Sequence, residues 1–355
     1  MRVLALPRYS SLGSSSRTRF YQYVPYLTSY GIELQVKPLL GDDYIRALYF
    51  LEKQNVFSIA MAYWNRVRAC LKARAFDLIW IEKELFPWLP AWTEGFLDRC
   101  GIPYVVDYDD AVYHRYDLHH DPIIRALLGK SIDFAMQHAE TVVVGNNYLA
   151  EHARQSGARK IEYLPTVVDV DRYPICEKKN QQFRIGWIGS PITAPYLGLI
   201  KDALGEVCRQ TQACIVLIGA GERNQLPGLD KENLTWSEDS EVANIQSCDV
   251  GIMPLPDEPF TRGKCGYKLI QYMAGGLPAV ASPVGVNKLI VEHGKTGFLA
   301  SSQEEWVQAL VRLYQDAGMR SSMGNAGRQK VEKEYNLKST APRLLDILTK
   351  AGSPR

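Results

Sequence analysis

The segment MRVLALPRYSSLGSSSR, residues 1–17, joins a short apolar run to a loop rich in glycine and serine, and a helical pattern follows it. The run Val3–Leu6 has the length and composition of a buried strand, and Arg17–Ser29 has the apolar spacing of a helix. A strand that passes through such a loop into a helix is the repeating unit of parallel sheets wound with helices. This segment therefore predicts an α/β fold.

The same alternation of short apolar runs and longer helical stretches continues along the chain. In the first half it predicts strands at Leu34–Val36, Leu78–Ile81, Tyr104–Val106, Thr141–Val144 and Ile161–Tyr163. In the second half it predicts strands at Phe183–Ile188, Cys214–Ile218, Leu234–Trp236, Val250–Met253 and Ala279–Ala281. A chain of 355 residues with this pattern is long enough for two doubly wound domains, each with a core of its own.

A polar stretch with two prolines and a charged cluster, within residues 165–182, interrupts the alternation and predicts an interdomain linker. We expect an N-terminal domain over residues 1–170, a linker over 171–182, a C-terminal domain over 183–335, and a last helix over 336–355 that could return to the first domain.

The composition excludes several classes of protein. The 41 basic and 39 acidic residues leave a net charge of +2, which excludes a nucleic-acid protein held mainly by bulk positive charge. Seven cysteines without a CxxC pair indicate core thiols in a reducing compartment. No apolar run approaches the roughly 18 residues that cross a bilayer, and residues 1–11 lack the apolar core of a signal peptide. We therefore expect a cytoplasmic protein without a spanning helix.

Open parallel sheets bind ligands beyond the carboxyl ends of their strands, and two glycine-containing loops lie at such positions. After the first strand, Gly13 and Ser14 offer backbone amides to an anion and Arg17 adds a positive charge. The alternative is a connector in which Ser16 caps the following helix.

After the first strand of the second half, Gly189 allows a ligand to approach the backbone, and Ser190 and Thr193 add hydroxyl groups. Simple helix capping by either hydroxyl is the alternative.

A third loop, residues 257–276, is the densest in charge. It crowds Arg262, Lys264 and Lys268 near the start of a predicted helix, where cations oppose the helix dipole. A bound polyanion would resolve that conflict, and a solvated basic turn is the alternative. By contrast, the segment Gly294–Thr296 lacks the preceding glycine that a P-loop requires. The pair His119 and His120 is not expected to bind a metal ion, because adjacent histidines rarely bind the same ion.

Carboxylates follow two predicted strands of the first half. Glu82 and Glu84 end one strand, and Asp107, Asp109 and Asp110 end another. Like charges at such close spacing should raise the pKa of at least one carboxyl, as in sites that handle protons or sugar hydroxyls. Helix capping and surface ion pairs are the alternative interpretation.

The third loop continues into GKCGYKLIQYMAGGLPAVASPVGVNKLIVEHGKTGFLA, residues 263–300, and this segment resembles the donor-binding region of glycosyltransferase family 4. Its MAGG, PAVAS and GKTGFL runs are the specific parts. The runs WIGSPITAPYL and DYDDAVYH are similar to a bacterial polysaccharide or glycolipid subgroup of that family. The resemblance implies a GT-B fold, in which two Rossmann-like, doubly wound domains face each other across a cleft.

The resemblance also implies transfer of a sugar from a nucleotide-diphosphate sugar to a hydroxyl of a glycan or lipid-linked acceptor, with retention of configuration and without a metal or other cofactor. The second domain would bind the donor and the first the acceptor. The implied donor-binding residues are Gly13, Ser14, Arg17, Gly189, Ser190, Thr193, Arg262, Lys264, Gly266, Tyr267, Lys268 and Gln271. Asp110 is the first catalytic candidate, with Glu84 and Asp109 after it.

One departure from the family concerns its usual pair of glutamates, which seven residues separate. Gly263 and Gln271 stand at those positions. Gln271 can still hydrogen-bond a ribose hydroxyl, but Gly263 cannot replace a carboxylate. The cations that relatives carry after the first strand of the second domain are also absent, so Arg262, Lys264 and Lys268 are expected to take over the pyrophosphate.

Two other functions are compatible with these residues. A nucleotide-sugar epimerase of the same fold needs an acid–base pair near the sugar, which the carboxylates would allow. A non-catalytic sugar-nucleotide-binding subunit of a transferase complex is the second alternative, because the glutamate pair is incomplete. The segment around GKTGFL favours the transferase.

The stretch from Arg46 to Phe76 contains six basic residues and one acidic residue. Its helical pattern places Phe57, Met61 and Trp64 on one face with Arg66 opposite, and residues 85–92 add aromatic side chains nearby. Basic helices with aromatic anchors bind anionic membrane surfaces. We therefore expect peripheral binding to an anionic membrane through residues 46–76 and 85–92, at the inner face of the plasma membrane; a core-facing helix with a solvated basic side is the alternative.

Overall fold

The computed structural model describes residues 1–50, 52–175, 182–221 and 226–353, without the side chain of Trp92. The chain divides into two compact units. Unit 1 comprises Met1–Thr166, Arg262–Cys265 and the residues from Leu337 on; unit 2 comprises Val167–Thr261 and Gly266–Asn336. Half of the expected linker, residues 176–181, lies outside the described residues.

Unit 1 is built on one parallel sheet of six strands. The strands are β1 (Arg2–Leu6), β2 (Glu33–Val36), β3 (Leu78–Glu82), β4 (Tyr104–Tyr108), β5 (Thr141–Val144) and β6 (Ile161–Tyr163). Their order in the sheet is β2-β1-β3-β4-β5-β6. The chain order reverses between β1 and β3, and sheets of this kind bind ligands beyond the carboxyl ends at that point.

Helices flank this sheet along the chain. They are α1 (Ser14–Arg19), α2 (Val24–Ser29), α3 (Asp42–Tyr49), α4 (Val56–Leu71), α5 (Trp92–Arg99), α6 (Pro122–Leu128), α7 (Ser131–His138) and α8 (Asn147–Gln155). The central strands β3, β4 and β5 are buried along their whole length, which explains their mostly apolar sequences LIWIE, YVVDY and TVVV.

Unit 2 has a second parallel sheet of six strands, in the order β12-β11-β10-β7-β8-β9. The strands are β7 (Arg184–Ile188), β8 (Cys214–Ile218), β9 (Lys231–Leu234), β10 (Val250–Met253), β11 (Ala279–Ala281) and β12 (Gly297–Leu299). The helices are α9 (Lys201–Thr211), α10 (Glu241–Gln246), α11 (Pro259–Arg262), α12 (Tyr267–Ala274), α13 (Asn287–Ile290), α14 (Gln303–Gln315) and α15 (Ala317–Glu334). Here the order reverses between β7 and β10, and the two units together confirm the predicted α/β class.

The last helix, α16 (Leu337–Gly352), belongs to unit 1 although it follows all of unit 2 in the chain. It packs on β3, β4 and α2 and buries Leu344 and Leu348. The hydroxyl oxygens of Tyr23 and Thr340, both buried, lie 3.1 Å apart and join the helix to the residues before α2.

Two strands of unit 2 differ from the sequence prediction. The strand predicted at Leu234–Trp236 is wrong, because β9 covers Lys231–Leu234. It is an edge strand, where polar side chains are tolerated, so its composition gave no apolar signal. The strand β12 was not predicted; it has three residues and begins at Gly297, where a Cβ would lie 2.0 Å from the Ala279 carbonyl oxygen.

In helix α4, the apolar face predicted from the sequence is exposed, and Arg66 on the opposite face is buried. The exposed side chains on it include Phe57 and Trp64, which are 73% and 58% exposed, whereas Arg66 is 3% exposed. The Arg66 guanidinium donates to the carbonyl oxygens of Leu6 and Pro7, and burial lowers its pKa to about 10. The core-facing alternative is therefore wrong for the predicted apolar face and for Arg66, although α4 packs on the core through the partly buried Tyr63, Val67 and Cys70.

Candidate functional site

The carboxyl ends of β1, β3 and β4 gather the charged residues that the sequence singled out in unit 1. The loop after β1 leads into α1, Glu82 ends β3, and Asp109 and Asp110 follow β4. These three strands are neighbours and include the point where the sheet order reverses. The structure thus brings the glycine–serine loop together with both groups of carboxylates.

Lys83 lies at the centre of this charged cluster. Its Nζ is 2.7 Å from Asp109 Oδ1, 3.5 Å from Asp110 Oδ2 and 3.1 Å from Ser15 Oγ. Burial by itself lowers the pKa of Lys83, but the surrounding carboxylates, Asp109 first, raise it above its ordinary value. Lys83 is therefore a permanent positive charge among the carboxylates, and the sequence analysis singled out only the glutamates on either side of it.

The carboxylates differ in pKa because their partners differ. Burial raises the pKa of Asp107 to about 6, although Arg19 Nε lies 2.7 Å from its Oδ1. Burial acts in the same direction on Asp109, but the ion pair with Lys83 outweighs it and holds the pKa of Asp109 below its ordinary value. The crowding of like charges that the sequence predicts is thus offset by buried cations, which were not predicted.

The glycine–serine loop contacts the carboxylates through its hydroxyl groups. Ser15 Oγ is 2.8 Å from Glu82 Oε1 and 2.6 Å from Asp109 Oδ2, and Ser16 Oγ donates to Glu82 Oε2. The cap position of α1 is Gly13, so the alternative in which Ser16 caps the helix is wrong.

Gly13 and Arg17, which are also expected to bind the donor, contact other residues of the same loop. A Cβ on Gly13 would lie 2.5 Å from Tyr9 Cβ, so the loop needs a glycine there. Arg17 is buried, with its Nη1 3.4 Å from the Ser11 carbonyl oxygen. The donor-binding role of Gly13, Ser14 and Arg17 stays a prediction.

Exposure separates the three catalytic candidates. The Glu84 side chain is 6% exposed and accepts hydrogen bonds from Arg8 Nη1 at 2.9 Å and the Tyr116 hydroxyl at 2.7 Å. The Asp109 side chain is 11% exposed, whereas that of Asp110 is 25% exposed. Asp110 is therefore the carboxylate most open to a substrate.

The contacts of Asp110 are with cations rather than with a helix end. Its Oδ1 lies 3.7 Å from Lys264 Nζ, in addition to the contact of Oδ2 with Lys83. The helical turn that follows has Ala111 at its cap position and no side-chain cap. The capping alternative is therefore not what this aspartate does.

The contacts of residues 262–265 explain why position 263, where the resemblance leads us to expect a glutamate, has a glycine. Asn146 Nδ2 donates to the carbonyl oxygens of Gly263 and Lys264, at 2.8 and 3.2 Å. A Cβ on Gly263 would lie 2.4 Å from Ala111 Cβ and 2.9 Å from the Ala111 nitrogen. No side chain fits here while the segment keeps these contacts, and Lys264 reaches Asp110 from it.

We expect Gly263→Ala to destabilise unit 1, because the added Cβ must push the segment away from Ala111. Such overpacking costs typically about 1–3 kcal/mol, so the melting temperature should fall by several degrees. The matched control is Gly198→Ala, where a Cβ meets nothing within 4 Å. Equal melting temperatures for the two variants would contradict the close contact.

In unit 2, the loop after β7 and the start of α12 form a second group. Lys268 Nζ lies 3.2 Å from Thr193 Oγ1 and 4.4 Å from the centre of the Trp187 ring. A Cβ on Gly189 would lie 2.6 Å from the same Nζ, so the lysine sits directly against that loop. Lys268 is thus placed with Gly189 and Thr193 in unit 2, whereas Arg262 and Lys264 belong to unit 1.

The first turn of α12 and Gln271 complete the residues expected in unit 2. Gly266 precedes the helix with a φ of 66°, which favours a glycine, and Tyr267 begins it. Gln271 is 2% exposed, and its Nε2 lies 3.5 Å from the Tyr173 hydroxyl. The amide is held inside unit 2 next to that hydroxyl.

We expect Gln271→Ala to weaken donor binding about fivefold, the effect of losing one neutral hydrogen bond of roughly 1 kcal/mol. Gln271→Glu should be tolerated, because the Tyr173 hydroxyl can donate to the carboxylate that the family usually has. Donor KM values for the three proteins provide the measurement. A Gln271→Ala protein with the donor KM of the unaltered chain would show that this residue does not read the ribose.

No group of three or more histidine, cysteine or carboxylate side chains in the part of the chain that the structure describes is arranged to hold a metal ion. None of the described helices combines the length and the apolar character that a bilayer crossing requires.

Residues 182–316, which include all six strands of unit 2, match the family model described as Glycosyl transferases group 1. A D-inositol 3-phosphate glycosyltransferase of Corynebacterium urealyticum is 31% identical over 108 residues, 30% of this chain and 24% of the relative. A GDP-mannose-dependent alpha-(1-6)-phosphatidylinositol monomannoside mannosyltransferase of Mycobacterium tuberculosis is 26% identical over 222 residues, 54% of this chain and 56% of the relative. The matched segments span about a quarter to just over half of these relatives.

Among solved structures, HepE of Anabaena in complex with UDP-glucose superposes with a TM-score of 0.73 at 16% identity, covering 99% of this chain and 100% of that chain. A likeness at this identity shows the fold, and the GT-B fold expected from the resemblance is confirmed. The family match likewise confirms the resemblance that residues 263–300 carry.

Proposed function

We propose, from the match of residues 182–316 to the group 1 glycosyl transferases, that this chain moves a sugar from a nucleotide-diphosphate sugar to a hydroxyl of a glycan or lipid-linked acceptor. The observation that carries the proposal is the position of Asp110. It is a quarter exposed, held between Lys83 and Lys264, and lies beyond the strand ends where such sheets bind ligands.

In the proposed reaction, unit 2 binds the donor and unit 1 the acceptor. Lys268 against Gly189 and Thr193 supplies a cation beside open backbone, which suits a phosphate. Developing charge on the leaving diphosphate must be met by such side chains when no metal takes part, and Arg262 and Lys264 are the further candidates.

Asp110 orients the acceptor or the sugar. The acceptor hydroxyl attacks the sugar on the same face from which the diphosphate leaves, so the configuration is retained. The leaving diphosphate takes the proton of that hydroxyl. The similar proteins include a GDP-mannose-dependent enzyme and a structure in complex with UDP-glucose, and both nucleotides therefore belong in the first donor panel.

The test is release of nucleoside diphosphate from a panel of UDP- and GDP-sugars, with and without pyranoside and phosphatidylinositol acceptors, each repeated in EDTA. We expect acceptor-dependent release with one donor, unchanged by EDTA, and an α-linked product from an α-linked donor. Conversion of the donor sugar without release would indicate the epimerase instead. Binding of a nucleotide sugar without either reaction would overturn an enzymatic function, and loss of activity in EDTA would overturn the metal-independent step.

We further propose that the exposed face of α4 attaches the protein to an anionic membrane surface. The apolar side chains on this face are Val56, Phe57, Met61, Trp64 and Leu71, which are 45–78% exposed. Exposed cations accompany them along and beside the helix, at Arg46, Lys53, Arg68, Lys72 and Arg74. A helix that presents apolar and basic groups together to the outside suits the boundary of an anionic lipid layer.

Residues 85–92 contribute less to this surface than their composition predicts. Leu85 and Phe86 are buried, and only Trp88, Leu89 and Pro90 among the described side chains in this stretch are substantially exposed. The proposed membrane contact therefore rests on α4.

We expect the double change Phe57→Ser and Trp64→Ser to reduce binding to phosphatidylglycerol vesicles by at least tenfold, since each buried aromatic contributes about 1.5–3 kcal/mol. Co-sedimentation is the measurement, at low and high salt. Ile123→Ser on α6 is the matched control, because that side chain is 66% exposed in the same unit but lies on a different helix. Equal pelleting of all three proteins, or none by the unaltered chain, would contradict membrane attachment.

A further inference from the structure

The loop between β3 and α5 contains two of the three non-glycine residues with positive φ in the described part of the chain. These are Lys83 at 65° and Trp88 at 64°; the third, Gln212, ends helix α9. Side chains larger than glycine avoid this conformation, and bulky residues avoid it most. Such residues persist where surrounding contacts impose the conformation, which is frequent at functional sites.

A chain of hydrogen bonds holds Trp88 in this conformation. The Trp88 backbone N–H donates to the Tyr116 hydroxyl at 3.0 Å, and that hydroxyl donates to Glu84 Oε2 at 2.7 Å. The other oxygen of Glu84 accepts from Arg8 Nη1 at 2.9 Å. Immediately before Trp88, the carbonyl oxygen of Pro87 accepts from the Tyr63 hydroxyl at 2.7 Å. The Arg8 backbone N–H in turn donates to Glu82 Oε2 at 2.7 Å, so these bonds connect the backbone at Trp88 to the carboxylate that ends β3.

The indole of Trp88 is nonetheless 49% exposed. Its ring neighbours are Tyr116 and His119, with ring centres 5.2 and 5.9 Å away and planes at 87° and 83° to the indole. No ring among the described residues is stacked parallel to it. The loop thus combines an unfavourable backbone conformation with an exposed aromatic side chain. Because the ring is half exposed, its burial does not explain why the protein keeps this conformation.

A flat aromatic ring fixed beside polar groups suits a pyranose. The axial C–H groups of the sugar form an apolar face that packs on the ring, and its hydroxyls remain free for polar neighbours. A rigid tryptophan provides such contact area at low cost in conformational entropy. Its connection through Tyr116 to Glu84 places this surface in the unit where we expect the acceptor.

We propose that Trp88 is the platform on which a pyranose ring of the acceptor packs, so that the acceptor is a saccharide or a glycan-bearing lipid. This inference deepens the proposed transferase function and rests on it. A membrane anchor is the competing role for an exposed tryptophan. Trp64 on α4 fits that role better, because it lies among the exposed cations and is 58% exposed.

Saturation-transfer NMR with soluble methyl pyranosides and myo-inositol tests the platform without a donor. We expect transfer to the axial ring protons of at least one pyranoside with the unaltered chain and with Trp64→Ser, and its loss with Trp88→Gly. Glycine removes the ring while adopting the observed φ freely, so the melting temperature should change by no more than about 3 °C. Trp88→Phe should retain part of the signal.

Three results would overturn the inference. These are absence of transfer to every pyranoside, equal transfer with Trp88→Gly, and loss of vesicle binding with Trp88→Gly while Trp64→Ser retains it. Failure of the transferase proposal is seen separately, as a lack of nucleotide release by the unaltered chain with every donor.

Discussion

Asp107→Ala is expected to destabilise unit 1 by about 3–5 kcal/mol, the usual cost of leaving a buried charge without its partner. Asp107 and Arg19 each have side chains only 1% exposed, and the pair is joined by a contact of 2.7 Å. Arg19 Nη1 would keep its bond to the Leu164 carbonyl oxygen, but the guanidinium cannot lose its proton to escape burial.

Removing Arg19 instead of Asp107 should lower the stability of unit 1 by less. In Arg19→Met the remaining carboxyl can become neutral, and burial already raises the pKa of Asp107 to about 6. The double variant Arg19→Met, Asp107→Leu should recover most of the loss, since a buried pair can often be replaced by apolar residues. Hydrogen exchange of the β3 and β4 amides measures this locally in unit 1. Equal losses for the two single variants would contradict the argument.

Asp110→Asn is expected to lower kcat by about 100-fold and to leave the donor KM nearly unchanged, since its proposed role is orientation at the reacting centre. Stability should change little, because the aspartate is a quarter exposed and caps no helix. The steady-state constants and the melting temperature, measured on the same preparation, are the readouts.

Asp121→Asn is the matched control for this variant. Asp121 caps α6 in the same unit, and asparagine caps a helix equally well, so neither rate nor stability should change. Wild-type turnover in Asp110→Asn, or a loss confined to donor affinity, would remove Asp110 from the reacting centre.

Most of the fold could be predicted because the central strands carry its signal. The buried parallel strand Thr141–Val144 is a run of β-branched residues, and both of its ends were predicted correctly. The strands β3 and β4 were also predicted, but they extend one and two residues beyond the predicted ends, to Glu82 and Tyr108. Three of the four residues of the edge strand Lys231–Leu234 are polar, and its position depends on pairing with β8 rather than on its composition. Such strands become visible only with their neighbours.

The candidate site was predictable in its location but not in its charge balance. Loop positions after strands pointed to Asp110 and Lys264, which the structure places 3.7 Å apart. The role of Lys83 depends on a left-handed backbone conformation, which a lysine in the sequence does not predict. The role of Arg19 depends on its contact with Asp107, which lies 88 positions away along the chain. The glycine at position 263 has its reason in Ala111, which sequence spacing does not relate to it.

The place of α16 in unit 1 has a consequence for biosynthesis. A ribosome delivers β1–β6 first, yet the surface of β3, β4 and α2 that α16 covers must wait until all of unit 2 has been translated. The nascent first unit therefore emerges with apolar surface uncovered, a state in which chains associate wrongly or require chaperones. Unit 2 is continuous in the chain from Val167 to Asn336 except for residues 262–265, which belong to unit 1. It can therefore complete its core before the first unit does.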